Sequence, residues 1–252
     1  MKKRIQTPGI ALAAIAVLPA VFAQVAPSST STSDVDEEIV LLSPFEVRAE
    51  SDTGYQATQT LAGSRINTRL EDVGSAITVV TAEFLRDVGA TDNKSLLMYT
   101  TNTEVGGPQG NFRGSSGGQS EDESGRFTNP NGNTRVRGLT AADNTRNFFA
   151  SDIPWDGYNV DRVDMQRGPN SILFGLGSPA GIINASTKTA QHRNFREVDF
   201  RFGSYGSNRV TVDINQNILP GELSVRLNLL RNDEQYRQDP AYSFDRRLFA
   251  TL

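Results

Sequence analysis

The run Gly175-Leu176-Gly177-Ser178-Pro179-Ala180 is the first candidate for chemistry, because its glycine spacing fits a loose dinucleotide fingerprint. That fingerprint works only where a strand leads in and a helix opens behind it, so that phosphate meets the helix N-terminus. Here Pro179 is followed by Gly181 and the β-prone pair Ile182-Ile183, so no helix opens and the motif is not a phosphate cradle. The chain has no cysteine, which excludes thiolate metal sites, disulfides and cysteine catalysis. Its single histidine, His192, leaves no imidazole cluster for a metal and no base for a serine or threonine nucleophile. Glu121-Asp122-Glu123 is either a cation-binding cluster or a solvated charge run. A net charge of -4 without a basic face argues against nucleic acid. No catalytic residue, no metal site and no cofactor follow from these residue types, and a secreted hydrolase finds no constellation here.

The elements that hold the glycine run are strands. Val163, Met165 and Arg167 alternate with Arg162, Asp164 and Gln166, which predicts a short strand. Gly168-Pro169 ends it, because proline cannot donate to a ladder. Ser171 to Phe174 make an apolar turn, Gly175, Gly177 and Gly181 allow a tight reversal, and Gly181 to Thr187 run out as a second strand. Upstream, a strand-like piece is centred on Arg65-Ile66-Asn67, and Ala76 to Val80 form a buried strand of β-branched residues. Thr81 caps a short helix that runs to Val88 and ends at Gly89; Thr91 or Asp92 caps a second. Leu96, Leu97, Met98 and Tyr99 are expected in the core. Asn133 to Leu139 alternate again, with Val136 inward and Arg135 and Arg137 outward. Phe148, Phe149, Ile153 and Trp155 make an apolar patch, and Trp155 either packs or touches ligand. The Gly-, Ser- and Asn-rich stretch from Glu104 to Gly132 carries Phe112, Arg113, Arg126 and Phe127. A loop of this length is either a functional contact surface or an insertion without a ligand role.

Residues 1–23 have the form of a cleaved signal peptide: Lys2, Lys3 and Arg4, an apolar run broken at Pro19, and small residues around Ala23. That run is shorter than the ~20 apolar residues of a spanning helix. Residues 24–38 are a flexible linker too polar to fold. Ile39-Val40-Leu41-Leu42-Ser43-Pro44-Phe45-Glu46-Val47 is β-prone; it is either a peptide presented for strand addition to a partner's sheet edge or the first strand of the next domain.

After Lys188 the pattern changes. Thr189 to Asn194 read as a polar linker, and strict alternation follows. Val198, Phe200 and Phe202 oppose Glu197, Asp199 and Arg201; Val210, Val212 and Ile214 oppose Thr211, Asp213 and Asn215; Leu223, Val225, Leu227 and Leu229 oppose Ser224, Arg226 and Asn228. A final strand-like piece covers Arg247 to Leu252. Such segments fit either outer-membrane barrel strands, which cross in ~9–11 tilted residues, or a soluble sheet with one buried face.

Arg162-Val163-Asp164, Arg167-Gly168-Pro169, Phe174-Gly175, the glycine turn and Ile182-Ile183-Asn184 resemble, in that order, the signature near the end of the plug domain of TonB-dependent outer-membrane receptors. Asp164 stands for the family's glutamate, Phe174 for its tyrosine and Ala180 for one glycine. The strand-helix-helix order around Val88-Gly89-Ala90 is similar to the first half of a plug, and Arg135-Val136-Arg137-Gly138 to its arginine strand. The resemblance implies an α+β plug domain (a small mixed sheet with short helices) over residues 48–190, followed at 194–252 by the first antiparallel strands of an incomplete transmembrane β-barrel. Four strands cannot close a barrel, so the chain is expected to be an N-terminal fragment or a truncated product.

Further implications concern partners and sites. Residues 39–47 would be the TonB box, pairing with TonB and its inner-membrane energising complex. Phe112, Arg113, Arg126, Phe127 and Trp155 would face the transported solute, a ferric siderophore as a class. Arg135, Arg137, Arg162 and Arg167 would hold the plug to the barrel wall. Gly168, Pro169, Phe174, Gly175, Gly177, Gly181 and Asn184 are the signature positions. Lipid of the cell outer membrane would surround the barrel. The alternatives are a plug-only binding module secreted to the periplasm and a non-functional remnant.

Overall fold

The computed structural model describes residues 52–106, 110–111, 134–168 and 178–252. The signal peptide, the leash, residues 39–47, the acidic run at 121–123, Phe112, Arg113, Arg126, Phe127, Pro169, Phe174, Gly175 and Gly177 lie outside the described residues.

Two short strands, β1 (Gln59–Thr60) and β2 (Thr68–Arg69), pair antiparallel. The segment around Arg65-Ile66-Asn67, expected as a strand, is their connecting turn, and Arg65 has a φ of 62°. The β-branched run forms β3 (Ala76–Thr81). Thr81 then accepts the Phe84 N–H at 3.3 Å and starts α1 (Ala82–Asp87), and Gly89, at φ 70°, follows its end. Asp92 and Ser95 exchange side-chain and backbone hydrogen bonds of 2.8 and 3.0 Å across the first turn of α2 (Asn93–Leu97). Met98 and Tyr99, expected in the core, are exposed, because α2 ends at Leu97 and they leave its buried face.

The strands β4 (Thr103–Val105) and β5 (Thr134–Val136) pair with each other. A hairpin, β6 (Asp143–Arg146) with β7 (Phe149–Ala150), turns through Asn147 and Phe148, both at positive φ. With β8 (Val160–Arg167) and β9 (Gly181–Thr187) the order of the main sheet is β3-β8-β9-β6-β7. Only the β6–β9 pairing in it is parallel, so the sheet is mixed. Val163 and Met165 join Val80, Leu85, Leu96 and Leu97 in the apolar core. Contrary to simple alternation, the other side of β8 is buried too: Arg162, Asp164 and Gln166 are all buried, and Arg162 and Asp164 bond Gln59 and Thr60 of β1. Of the expected apolar patch, Trp155 is buried, whereas Phe149 and Ile153 are exposed on the hairpin edge and in the loop after it.

The remaining chain is a meander of long antiparallel strands: β10 (Phe195–Phe202), β11 (Asn208–Leu219), β12 (Leu223–Gln235) and β13 (Tyr242–Thr251). The last strand begins at Tyr242, earlier than the expected Arg247, because it pairs with β12 up to Gln235. Among the described residues the ribbon does not close on itself. No described helix is long and apolar enough to cross a membrane.

Candidate functional site

The ribbon reverses the rule of a soluble sheet. Val198, Phe200 and Phe202 are 52, 62 and 86 % exposed. Asp213 and Asn215 on β11, and Ser224, Arg226 and Asn228 on β12, are buried. The polar side of the alternation therefore faces the mixed sheet, and the apolar side faces out. The register explains why these residues act together: Asp213 stands beside Asn228, and Asn215 beside Arg226.

The seam between sheet and ribbon is made of charge-assisted bonds. Arg209 donates from both terminal guanidinium nitrogens to Asp156, one bond measuring 3.1 Å. Asp156 also accepts the Tyr158 N–H at 2.9 Å, so a single carboxylate starts the turn Gly157–Asn159 and ties it to the ribbon. Asp213 accepts from Lys188 at 2.9 Å and from Arg226 at 2.9 and 2.8 Å. Arg86 of α1 reaches Glu197 at 2.7 Å. A cavity of about 90 Å³ opens along this seam, lined in part by Leu85, Arg86, Lys188, Glu197 and Arg209. Salt links of this burial give little net stability but are costly to break one-sidedly.

The stretch expected as a loose linker is strapped to the ribbon. Arg226 donates to the Thr189 carbonyl at 3.0 Å, and Asn215 exchanges bonds of 2.9 and 2.6 Å with the Gln191 backbone. The Asn215 amide also reaches the Arg193 carbonyl. His192 Nδ1 lies 3.1 Å from the Ser224 hydroxyl, and the Asn217 N–H donates to Asn194 at 2.6 Å. The histidine considered for chemistry is thus part of this strap. The polarity at 189–194 that suggested a linker satisfies the inner wall of the ribbon instead.

The arginines expected to hold the plug to the barrel wall have the following partners among the described residues. Arg162 donates to the Gln59 carbonyl at 2.7 Å and stands 3.7 Å from Asp52 and 3.9 Å from Asp164, all within the mixed-sheet domain. Arg167 bonds Thr78 at 2.7 Å and the Thr101 carbonyl at 2.9 Å. Arg135 pairs with Glu104 at 2.9 Å across the β4–β5 ladder, and Arg137 is exposed, with its guanidinium near Gly168. The physical reason is topology: β8 runs through the middle of its sheet, so its arginines meet sheet partners. Among the described residues, cations that cross the seam include Arg86 and Lys188 from one side and Arg201, Arg209 and Arg226 from the other. Nothing local in the sequence announces these pairs. The inward parity of Arg209, Asp213 and Arg226 marks which ribbon side chains are available, but not their partners.

The signature positions that are described serve the fold. Gly181 has a φ of 110°, and a Cβ there would stand 2.0 Å from the Gln166 carbonyl oxygen. Asn184 accepts from Thr145 at 2.9 Å and from the Phe148 N–H at 2.6 Å, holding the β6–β7 hairpin to β9. Trp155 sits in the core, 6 % exposed, rather than on a solute-facing loop. Burial raises the Asp164 carboxyl above the usual carboxylate range, opposed by Arg162 and by bonds from Thr60 and Asn184. Burial likewise raises Asp52 and Asp161, again against the pull of nearby cations. Among the described residues no group of His, Asp and Glu is arranged to hold a metal ion.

A small mixed sheet is seated against the polar side of an antiparallel ribbon whose apolar side looks away. Residues 69–182 match the family model of the TonB-dependent Receptor Plug Domain, so the chain carries the plug of a TonB-dependent receptor. It is 29% identical over 211 residues to the metal-pseudopaline receptor CntO of Pseudomonas aeruginosa, covering 83% of this chain and 28% of the relative. It is 28% identical over 182 residues to the ferrichrome outer membrane transporter/phage receptor of Escherichia coli K12, covering 67% of this chain and 22% of that protein. The fold resembles the closed form of the ferric-catecholate import receptor Fiu from E. coli K12, with a TM-score of 0.63 at 19% identity over 78% of this chain and 26% of that one. The chain thus spans about a quarter of the length of these relatives. The fold is an α+β plug followed by antiparallel strands, with no closed barrel among the described residues.

Proposed function

We propose that this chain is the plug and first wall strands of an outer-membrane transporter, and that the plug gates energy-coupled uptake of a scarce solute. On this reading residues 1–23 direct export, 24–38 form the leash, 48–190 form the plug, and 194–252 begin the barrel. Ferric siderophore is the favoured cargo class, since relatives are named for metal-pseudopaline, ferrichrome and catecholate siderophores. Residues 39–47 are the proposed handle for TonB: a β-prone peptide that adds to a partner's sheet shares load over many main-chain bonds. The solute would meet Phe112, Arg113, Arg126 and Phe127. No step of this work is chemical, and no catalytic role is assigned.

The observation that carries the proposal is the orientation of the ribbon. Its apolar face is exposed and its polar face holds the plug through Asp213, Arg226 and Arg209, which is the polarity of a barrel wall around a polar lumen. A periplasmic plug-only module would leave Val198, Phe200 and Phe202 in water, at a cost of about 25 cal/mol for each Å² of apolar surface. The test is deletion of residues 39–47 in the complete receptor. Solute binding at the cell surface should persist while uptake stops; uptake that continues would remove the TonB assignment.

A further inference from the structure

The outward face of the ribbon is apolar through its middle rows, with Arg196 and Gln216 on the side of the β11–β12 turn and Arg231 and Arg246 on the other side. In the register, Phe200, Val210, Arg231 and Arg246 form one cross-strand row. The row on one side of it is Val198, Val212, Leu229 and Leu248; the row on the other is Phe202, Asn208, Asp233 and Phe244. Arg231 and Arg246 are therefore direct neighbours across β12 and β13, and both are exposed. Like charges facing each other across a ladder destabilise it unless something stands between them.

The place of this pair has physical meaning. On the side away from the β11–β12 turn, the last aliphatic or Phe residue of the outward face is Phe202 on β10, Val210 on β11, Leu229 on β12 and Phe244 on β13. Arg231 and Arg246 thus stand where the apolar run of β12 ends and that of β13 is interrupted. Tyr242 and Phe244, with ring centroids 4.8 Å apart, lie beyond Arg246 on the same face. Aromatic rings of this kind favour the headgroup level.

The charge at this point is incomplete. Arg231 is held by Asp233 through bonds of 2.8 and 2.6 Å to one carboxylate oxygen, Oδ2. Arg246 has no hydrogen-bond or ion-pair partner among the described residues. Two guanidinium groups against one carboxylate leave one positive charge, with unused donors on both arginines. A phosphate oxyanion accepts from guanidinium forks in this manner, and a phosphodiester carries the single negative charge that is missing. We propose that Arg231 and Arg246 form a binding site for the phosphate of an anionic membrane lipid on the outer side of the ribbon. Asp233 holds Arg231 in position and keeps the site near a single charge, and the Tyr242–Phe244 pair borders it on the headgroup side. The proposal rests on the reading that this face meets lipid.

The test is vesicle flotation of the purified full chain. The probes are phosphatidylcholine vesicles and vesicles that also contain phosphatidylglycerol. The chain should float with both and bind the anionic vesicles roughly tenfold more tightly or better, since each basic residue near a charged surface contributes about 1 kcal/mol. The double variant Arg231→Gln/Arg246→Gln should still float but lose the preference. Arg231→Lys/Arg246→Lys should keep part of it. Arg65→Gln/Arg69→Gln, the same charge change on the plug, should keep all of it. Equal binding of both vesicles, or a preference that survives the double Gln variant, would overturn the phosphate site and leave the membrane reading standing. Displacement from anionic vesicles by inorganic phosphate at constant ionic strength would assign the site to free phosphate and overturn the lipid assignment. Failure to float with either vesicle would overturn the lipid-facing reading, and the site with it.

Discussion

Arg209, on the inner face of the ribbon, grips Asp156 of the plug with both terminal nitrogens of its guanidinium group, and both side chains are nearly buried. The wall supplies the cation and the plug the anion, the reverse of what the plug's arginine-rich strands lead one to expect. Arg226 repeats the sense by donating to the Thr189 carbonyl, while Lys188 and Arg86 run the other way. On the proposed gating reading, force that moves the plug would have to break links of both polarities.

Arg209→Gln should lower stability by about 2–4 kcal/mol, because it strands a largely desolvated carboxylate. Asp156→Asn should cost less, since an amide oxygen can still accept the Tyr158 N–H. Urea unfolding of the two single variants and the double variant forms a cycle. A coupling energy within error of zero would show that the pair does not act as one unit.

Gly181→Ala should be among the most damaging small substitutions in the plug. The added Cβ would meet the Gln166 carbonyl oxygen at 2.0 Å in a backbone conformation that alanine rarely adopts. A loss of roughly 3 kcal/mol or more is expected. Thermal unfolding checks it, and a variant as stable as the parent would contradict the close approach of Gly181 to Gln166 in the β8–β9 ladder.

Acid should stabilise the plug over a defined window. The buried Asp164, Asp52 and Asp161 carboxyls have raised folded-state values, so the native state holds more protons than the unfolded chain above about pH 4. Their favourable contribution is complete below about pH 4 and is lost as pH rises through the raised values. Denaturant midpoints should therefore fall on going from pH 4 upward, and Asp164→Asn should flatten that slope. A midpoint that rises over this window, with no change in Asp164→Asn, would contradict the burial of these groups.

Val212 stands between Val198 and Leu229 in the middle of the apolar face. If that face meets lipid, Val212→Arg should destabilise the bilayer-inserted receptor by about 2–4 kcal/mol. Asn208→Arg, in the row beyond the arginine pair, should cost about 1 kcal/mol or less. Equal, negligible effects at the two depths, measured by unfolding from lipid vesicles, would mean that the face is wet.

Much of this protein is written locally. Alternation with period two specifies the four ribbon strands, because side chains on a strand must point to opposite faces. Thr81 and Asp92 specify two helix starts, because a short oxygen-bearing side chain can satisfy the free N–H groups there. The ordered glycine, proline and asparagine positions of Arg162 to Lys188 specify the family, because Gly181 and Asn184 hold geometries that other residues cannot. Tertiary structure decided what local pattern leaves open. An amphipathic ribbon has the same sequence whether its apolar face is buried or bare; the choice was made when Asp156, Lys188 and the strap at 189–194 took the polar face. A central strand such as β8 has no outward side, so Arg162 and Arg167 were claimed by Gln59, Thr78 and Thr101 from distant parts of the chain. Charges choose partners by distance in space, and that distance exists only after the chain has folded.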